Sequence, residues 1–310
     1  MSRILDLSPK ALTALRGMEL VDSIRQAEGR TIAAETIVAV PPLQDGCSNP
    51  ELAAAFGADI ICLNLYDVAH PQVWGLPDAD NQPAPPAEFG DFPAGRGRTA
   101  GDVARYTGRL TAVNLEPVDP ARSSFPAGRR ATVDNAERLV EQGGAIAVIT
   151  GNPGSGVTME AIVQATVQIR AATDGQLVIF AGRMHAAGAG EPVMTTADIL
   201  RLADAGAHGV LQPAPGTTPG SSMQATTERV QAAQARGLLV WNSIGTSQEG
   251  ASRNVIERIG MDSKASGADV HHIGDSGYFG IAPPENIYAY SLAIRGRRHT
   301  WHRMARSQQR

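Results

Sequence analysis

Short apolar runs rich in β-branched residues recur along this chain, each followed by a segment with helical spacing, and that alternation limits the fold more than any other feature. Eight such runs can be read: TIVAVPPL (36–43), ADIICLNLY (58–66), RLTAVNLEP (109–117), AIAVITGNP (145–153), QLVIFAGR (176–183), HGVLQPA (208–214), GLLVWNSIG (237–245) and ADVHHIGDSG (268–277). Between them, TVDNAERLVEQGG (132–144), TMEAIVQATVQIRAATDG (158–175), TTADILRLADAGA (195–207) and SMQATTERVQAAQARG (222–237) place apolar residues three and four apart, as an amphipathic helix does. Asn49 before Pro50 suits a helix cap followed by the first helical residue, and Gly143, Gly175, Gly206 and Gly237 fall where helices should stop. Strands that are apolar on both faces belong to a parallel sheet covered by helices.

Eight strand–helix units match a (β/α)8 TIM barrel spanning 1–310 as one domain, with residues 1–30 as an N-terminal helical extension over the barrel's bottom. A doubly wound open sheet would carry a glycine fingerprint after its first strand, where this chain has PPLQDGCSNPEL. The stretch 66–101 follows strand two and is too rich in proline for regular structure. It reads as a lid over the mouth or as disorder.

Active sites of such barrels lie where the strands end, in the turns that follow them. Four of these turns are rich in small residues: GNPGSGVT, QPAPGTTPGSS, NSIGTSQEGAS and HHIGDSGYFG, after strands four, six, seven and eight. Backbone amides there could hold a phosphate or carboxylate, although glycine also serves turns that only reverse the chain. The expected binding set is Asn64, Asn152, Gly154, Ser155, Gly156, Gln212, Gly216, Thr217, Asn242, Gly245, Thr246, His272, Gly274 and Gly277. For chemistry the strand ends supply Glu116, His185 and Asp275 as acid and base candidates and Arg183 as a holder of a second anionic group. Asp45, Asp67, Asn114 and His271 complete the polar strand-end residues. Arg183 and His185, two apart, should share a face of an extended segment.

What is missing narrows the chemistry. The only lysines are Lys10, in the extension, and Lys264, in the segment leading into strand eight, so no amine is placed for a Schiff base at the mouth. No G-x-x-x-x-G-K-[ST] motif occurs, and no His-x-His pair follows strand one. No cofactor is expected. Glu116, His185, His272 and Asp275 would suit a divalent ion, but no ligand spacing calls for one. Cys47 and Cys62 form no disulfide framework, and no run of about 18 apolar residues or signal-peptide core appears, so a cytoplasmic protein without membrane contact is expected. The net charge of −4 argues against nucleic-acid binding, and the basic tail IRGRRHTWHRMARSQQR reads as a solvated helix end or subunit contact in a homo-oligomer.

HHIGDSGYFGIAPPENIYAYSLAIRGRRHTWHRMAR and VWNSIGTSQEGAS resemble a group of uncharacterised bacterial barrel proteins loosely labelled phosphoenolpyruvate phosphonomutase-like or haloacid-dehalogenase-like. The likeness covers most of the chain and implies no established activity. Neither the acidic E-D motif followed by lysine of the phosphoenolpyruvate mutases nor the D-x-D-x-[TV] motif of haloacid dehalogenases is present. The expectation is a lyase or isomerase using general acid and base chemistry on a small anionic metabolite. A metabolite-binding regulator and a metal-dependent hydrolase are the alternatives.

Overall fold

In the computed structural model, eight parallel strands close on themselves in chain order. They are β1 (Thr31–Ile37), β2 (Ile60–Asn64), β3 (Leu110–Leu115), β4 (Ile146–Ile149), β5 (Val178–Gly182), β6 (Gly209–Pro213), β7 (Leu239–Ile244) and β8 (Val270–Ile273), which pairs back to β1. Helices α1 (Pro9–Ala14) and α2 (Gly17–Arg25) precede the barrel. Then α3 (Asn49–Ala55), α4 (Ala100–Thr107), α5 (Val133–Glu141), α6 (Met159–Ala172), α7 (Thr196–Asp204), α8 (Met223–Ala235), α9 (Arg253–Ala265) and α10 (Pro284–Met304) follow the strands in turn. Residues 2–79, 93–119, 121, 124–186, 192–275, 277 and 279–306 are described. This is the expected (β/α)8 barrel, and among these residues no helix is long and apolar enough to cross a membrane.

Seven of the eight expected runs contain the observed strand, and the first does not. β1 begins at Thr31, five residues before the expected TIVAVPPL, because its ladder partners are Val270 to Ile273 on one side and Ile60 to Asn64 on the other. Past Ile37 the chain leaves the sheet, and Pro41 and Pro42 could not have donated to a ladder. The shift brings Glu35 inside a strand.

Alternation splits the strand residues between two cores. Ala33, Cys62, Ala112, Val148, Phe180, Leu211, Trp241 and Val270 fill the barrel. Leu12, Leu20 and Ile24 of the N-terminal helices join that cluster, which fits an extension acting as a floor. Ile32, Ile61, Val113, Ile149, Ile179, Val210, Val240 and Ile273 face the surrounding helices.

Local signals set the helix ends. Gly143, Gly175, Gly206 and Gly237 follow α5, α6, α7 and α8 by two or three residues, as expected. The cap of α3 is Ser48 rather than Asn49: Ser48 exchanges bonds with Glu51, while the Asn49 amide donates to Phe279 O at 2.9 Å. The flanks of the long loop are pinned together, with Val73 N donating to Gly95 O at 3.2 Å and Gly97 N to Pro71 O at 2.7 Å. Of the lid expected at 66–101, residues 80–92 lie outside the described residues.

At the barrel's bottom, Asp59 Oδ2, His208 Nδ1 and Asp269 Oδ2 accept the amides of Ile32, Ile179 and Val240 at 2.8, 3.0 and 2.8 Å. Asp59 also meets Arg295 Nη1 and Arg303 Nε, each at 2.6 Å, which fastens α10 beneath the barrel. Burial pushes the Asp59 carboxyl up, but the two guanidinium groups outweigh it and hold it below the usual aspartate range.

Candidate active site at the barrel mouth

Because side chains alternate, only half of the polar residues near the strand ends face the barrel interior. Glu35 of β1 does, and it is the residue that sequence reasoning missed. Its side chain is 4% exposed, with Oε2 3.2 Å from His272 Nε2 and Oε1 accepting from Asn114 Nδ2 at 3.4 Å. Cys62 Sγ donates in turn to Asn114 Oδ1 at 3.4 Å, and burial pushes its thiol well up, helped by the Glu35 and Asp275 charges. The available signal was a lone carboxylate in TIAAETIVAV: a buried charge needs a partner.

Next to this pair, Asn64 Nδ2 donates to Asp275 Oδ2 at 3.2 Å, and Asp275 Oδ1 accepts from Gly277 N at 2.6 Å. Leu65, directly after Asn64, has φ 59, a backbone strain of the kind that gathers at functional sites. Burial raises the Asp275 carboxyl, and Glu35 raises it further. Glu249, buried after β7, is raised by burial first and then by Asp275 and Glu35. Three carboxylates thus lie on the β7–β8–β1 side, and the His272 ring contacts one of them, Glu35.

The opposite side is different. A cavity of about 320 Å³ is walled by Glu35, Asn64 and Asn114 on one flank and by Glu116, Arg129, Asn152, Ser155 and His185 on the other. Burial lowers the His185 pKa and Glu35 offsets part of this, so the ring is neutral near pH 7. Glu116 lies 2.6 Å from Arg129 Nη2, so its carboxylate is a fixed ion-pair partner and not a free base.

Of the expected residues, Asn64, Asn152, Ser155, Glu116 and His185 line this cavity, while His272 and Asp275 lie behind it in contact with Glu35 and Asn64. Others do neither. Gln212 and Asn242 face the helices: Gln212 bonds Asn242 at 3.0 Å and Arg229 at 2.7 Å, and Asn242 reaches Ser263 and Ser266. Their neighbours Leu211 and Trp241 occupy the interior, so strand parity puts them behind the sheet. His271 sits there too, 2.8 Å from Ser263 Oγ, while Asp67 closes a local turn and Asp45 is exposed. Arg183 is buried and donates to Val157 O at 3.2 Å rather than lining the cavity beside His185. The two part because β5 ends at Gly182, whose φ of 151 admits Leu211 O where a Cβ would stand, and strict alternation stops there.

The turns answer for most of their own amides. Gly154 N bonds Asn152 Oδ1 at 2.7 Å, Ser155 N bonds Asn152 O and Gly156 N bonds Pro153 O, both at 2.8 Å. The α6 terminus is capped by Thr158. Gly216 N goes to Ser221 O, Thr217 N to Ala214 O and Gly274 N to Ile244 O. Thr246 Oγ1 ties its turn to Thr217 O at 2.8 Å, and Gly245 packs against Met184. Amides already bonded within a turn have no hydrogen left for a ligand. These bonds leave little of the expected amide cradle. Among the described residues, no three His, Cys, Asp or Glu side chains converge in a way that would hold a metal ion.

Similar solved structures include QR15, an aldolase, at 16% identity and TM-score 0.43 over 82% of this chain and 93% of that one. Another is the thiamine phosphate pyrophosphorylase from Pyrococcus furiosus, at 13% identity and TM-score 0.47 over 87% and 97%. Neither likeness bears on the reaction of this chain. No curated protein matches. The closed parallel barrel is not the Rossmann-like sheet of a haloacid dehalogenase, and no phosphonomutase family matches either. Residues 5–310 match the model of a family described as a domain of unknown function, DUF7916, and the chain belongs to that family.

Proposed function

We propose that this chain is an enzyme that moves protons on a small anionic metabolite at the barrel mouth, in a lyase or isomerase type of reaction. The observation that carries the reading is the Glu35–His272 pair, in contact at 3.2 Å and buried beside the mouth cavity. A carboxylate that fixes one ring nitrogen orients an imidazole for acid and base work and stabilises the imidazolium when it forms. His185, its pKa lowered by burial, and Asp275, its carboxyl raised by burial, give two further groups that could take part in proton transfer. Arg129, held by Glu116 at 2.6 Å, offers a positive charge on the far wall for an anionic substituent.

A Schiff-base route has no support, because Lys10 belongs to α1 and Lys264 Nζ donates to Ile294 O in the helical layer. The test is hydrogen exchange in D2O, followed by NMR, with a panel of 2-hydroxy and 2-keto acids and their phosphate esters. The wild type should label or convert at least one of them, and Glu35→Gln and His185→Ala should each slow this by about 100-fold while the fold is kept. A co-purified metabolite that binds tightly, stays unlabelled and is recovered unchanged would make the protein a binder instead of an enzyme.

A further inference from the structure

Three buried polar atoms near the centre of the barrel have no hydrogen-bond partner among the described residues: Trp241 Nε1, Ser243 Oγ and His272 Nδ1. All three side chains belong to adjacent strands. Ser243 and His272 are register partners across β7 and β8, and Trp241 lies two residues before Ser243 on the same face. The Trp241 and His272 rings are 5.8 Å apart between centroids. These residues are no more than 2% exposed. Unmatched polar groups so deep in a protein are uncommon, and each calls for an explanation. Three together point to a partner that the described residues do not supply.

Hydrogen-bond roles narrow what that partner is. His272 turns its Nε2 toward Glu35, and with the ring hydrogen held on that side Nδ1 presents a lone pair. The Trp241 indole can only donate, and the Ser243 hydroxyl can do either. A carboxylate or phosphate oxygen only accepts and would set one lone pair against another at Nδ1. An ammonium only donates and would leave the indole unmatched. A hydroxyl, with one hydrogen to give and lone pairs to receive, satisfies the set. Neighbouring strands stand about 4.8 Å apart, a gap that one bridging oxygen spans. Glu35 links the two places, since it lines the mouth cavity and contacts His272.

We propose that Ser243 and His272 bind a hydroxyl group of the substrate, with its anionic end toward Arg129 and His185, so that the ligand class is a small hydroxy acid. This rests on the reading of the mouth as a site for an anionic metabolite. The test is calorimetric titration of the full chain with glycolate against acetate and with 3-hydroxypropionate against propionate, pairs that differ by one hydroxyl. In the wild type the hydroxylated member of at least one pair should bind about tenfold more tightly, the usual cost of leaving buried partners unmatched. Ser243→Ala should erase that preference without lowering the urea midpoint of the ligand-free protein. Equal affinities, or a preference that survives Ser243→Ala, would mean that the cluster holds only an ordered water; the hydroxyl point would then fall and the anion reading stand. A lower midpoint in Ser243→Ala would assign that hydroxyl a structural bond and equally overturn the proposal. Failure of all four probes to bind the wild type would take down both readings.

Discussion

A carboxylate in the middle of a buried strand survives only with partners, and Glu35 has the His272 ring and the Asn114 amide. Glu35→Ala leaves both facing an apolar gap, and a loss of about 3 kcal/mol is expected in urea denaturation at pH 7. A loss under about 1 kcal/mol would show that the pair is not formed. Titration gives a second check at this scale. Burial lowers the His208 pKa to about 4 and that of His271 to about 3, so both rings stay neutral in the folded protein at a pH where the unfolded chain takes up protons near 6.5. Their contribution is complete above pH 6.5 and is lost as pH falls toward 4, by about 3 kcal/mol for His208. Asp269, raised to about 6 by burial, works in the opposite sense between about 4 and 6 and cancels part of the slope. In His208→Asn the side-chain oxygen can still accept the Ile179 amide, so the variant should unfold with a flatter pH dependence than the wild type. An unchanged profile from pH 4.5 to 7 would count against a buried neutral ring.

Elements are where local and tertiary signals meet. α10 is interrupted at Gly296, whose φ of 69 and ψ of 173 only glycine adopts easily, and beyond that kink Arg303 turns under the barrel to Asp59. Gly296→Ala should lower stability by about 1–3 kcal/mol through backbone strain alone, since nothing lies near the added carbon. Asp59→Asn should cost more, about 3–5 kcal/mol, because it leaves two buried guanidinium groups without their anion. Thermal unfolding that ranks the two variants the other way would refute this account of the bottom face. Helix ends and seven of the eight strands could be read from spacing and stop signals, which act over a few residues. β1 could not, because Glu35 interrupts an apolar pattern, and what makes that charge tolerable is His272 at the other end of the chain.

Across the whole molecule the mouth is electrically lopsided. Carboxylates from Glu35, Glu249 and Asp275 gather over β7, β8 and β1, while the far wall carries His185 and Arg129, the latter paired with Glu116. A substrate with a negative end has one favourable orientation in such a field. Arg129→Ala should therefore raise KM about tenfold for any anionic substrate found in the exchange assay and change kcat less than threefold, as expected for a group that binds without reacting. Equal losses in both would move Arg129 into the chemistry. The amino-acid sequence by itself determined the eight-unit barrel, since alternation of apolar runs and helical faces leaves that closed arrangement as the way to bury them all. It also named Asn64, Glu116, Asn152, Ser155 and His185 of the residues around the opening, but not Glu35 or Arg129. Only the tertiary structure decided which strand-end residues face inward, because parity depends on where each strand enters the ladder, and a shift of one residue exchanges Gln212 for Leu211 or His271 for His272.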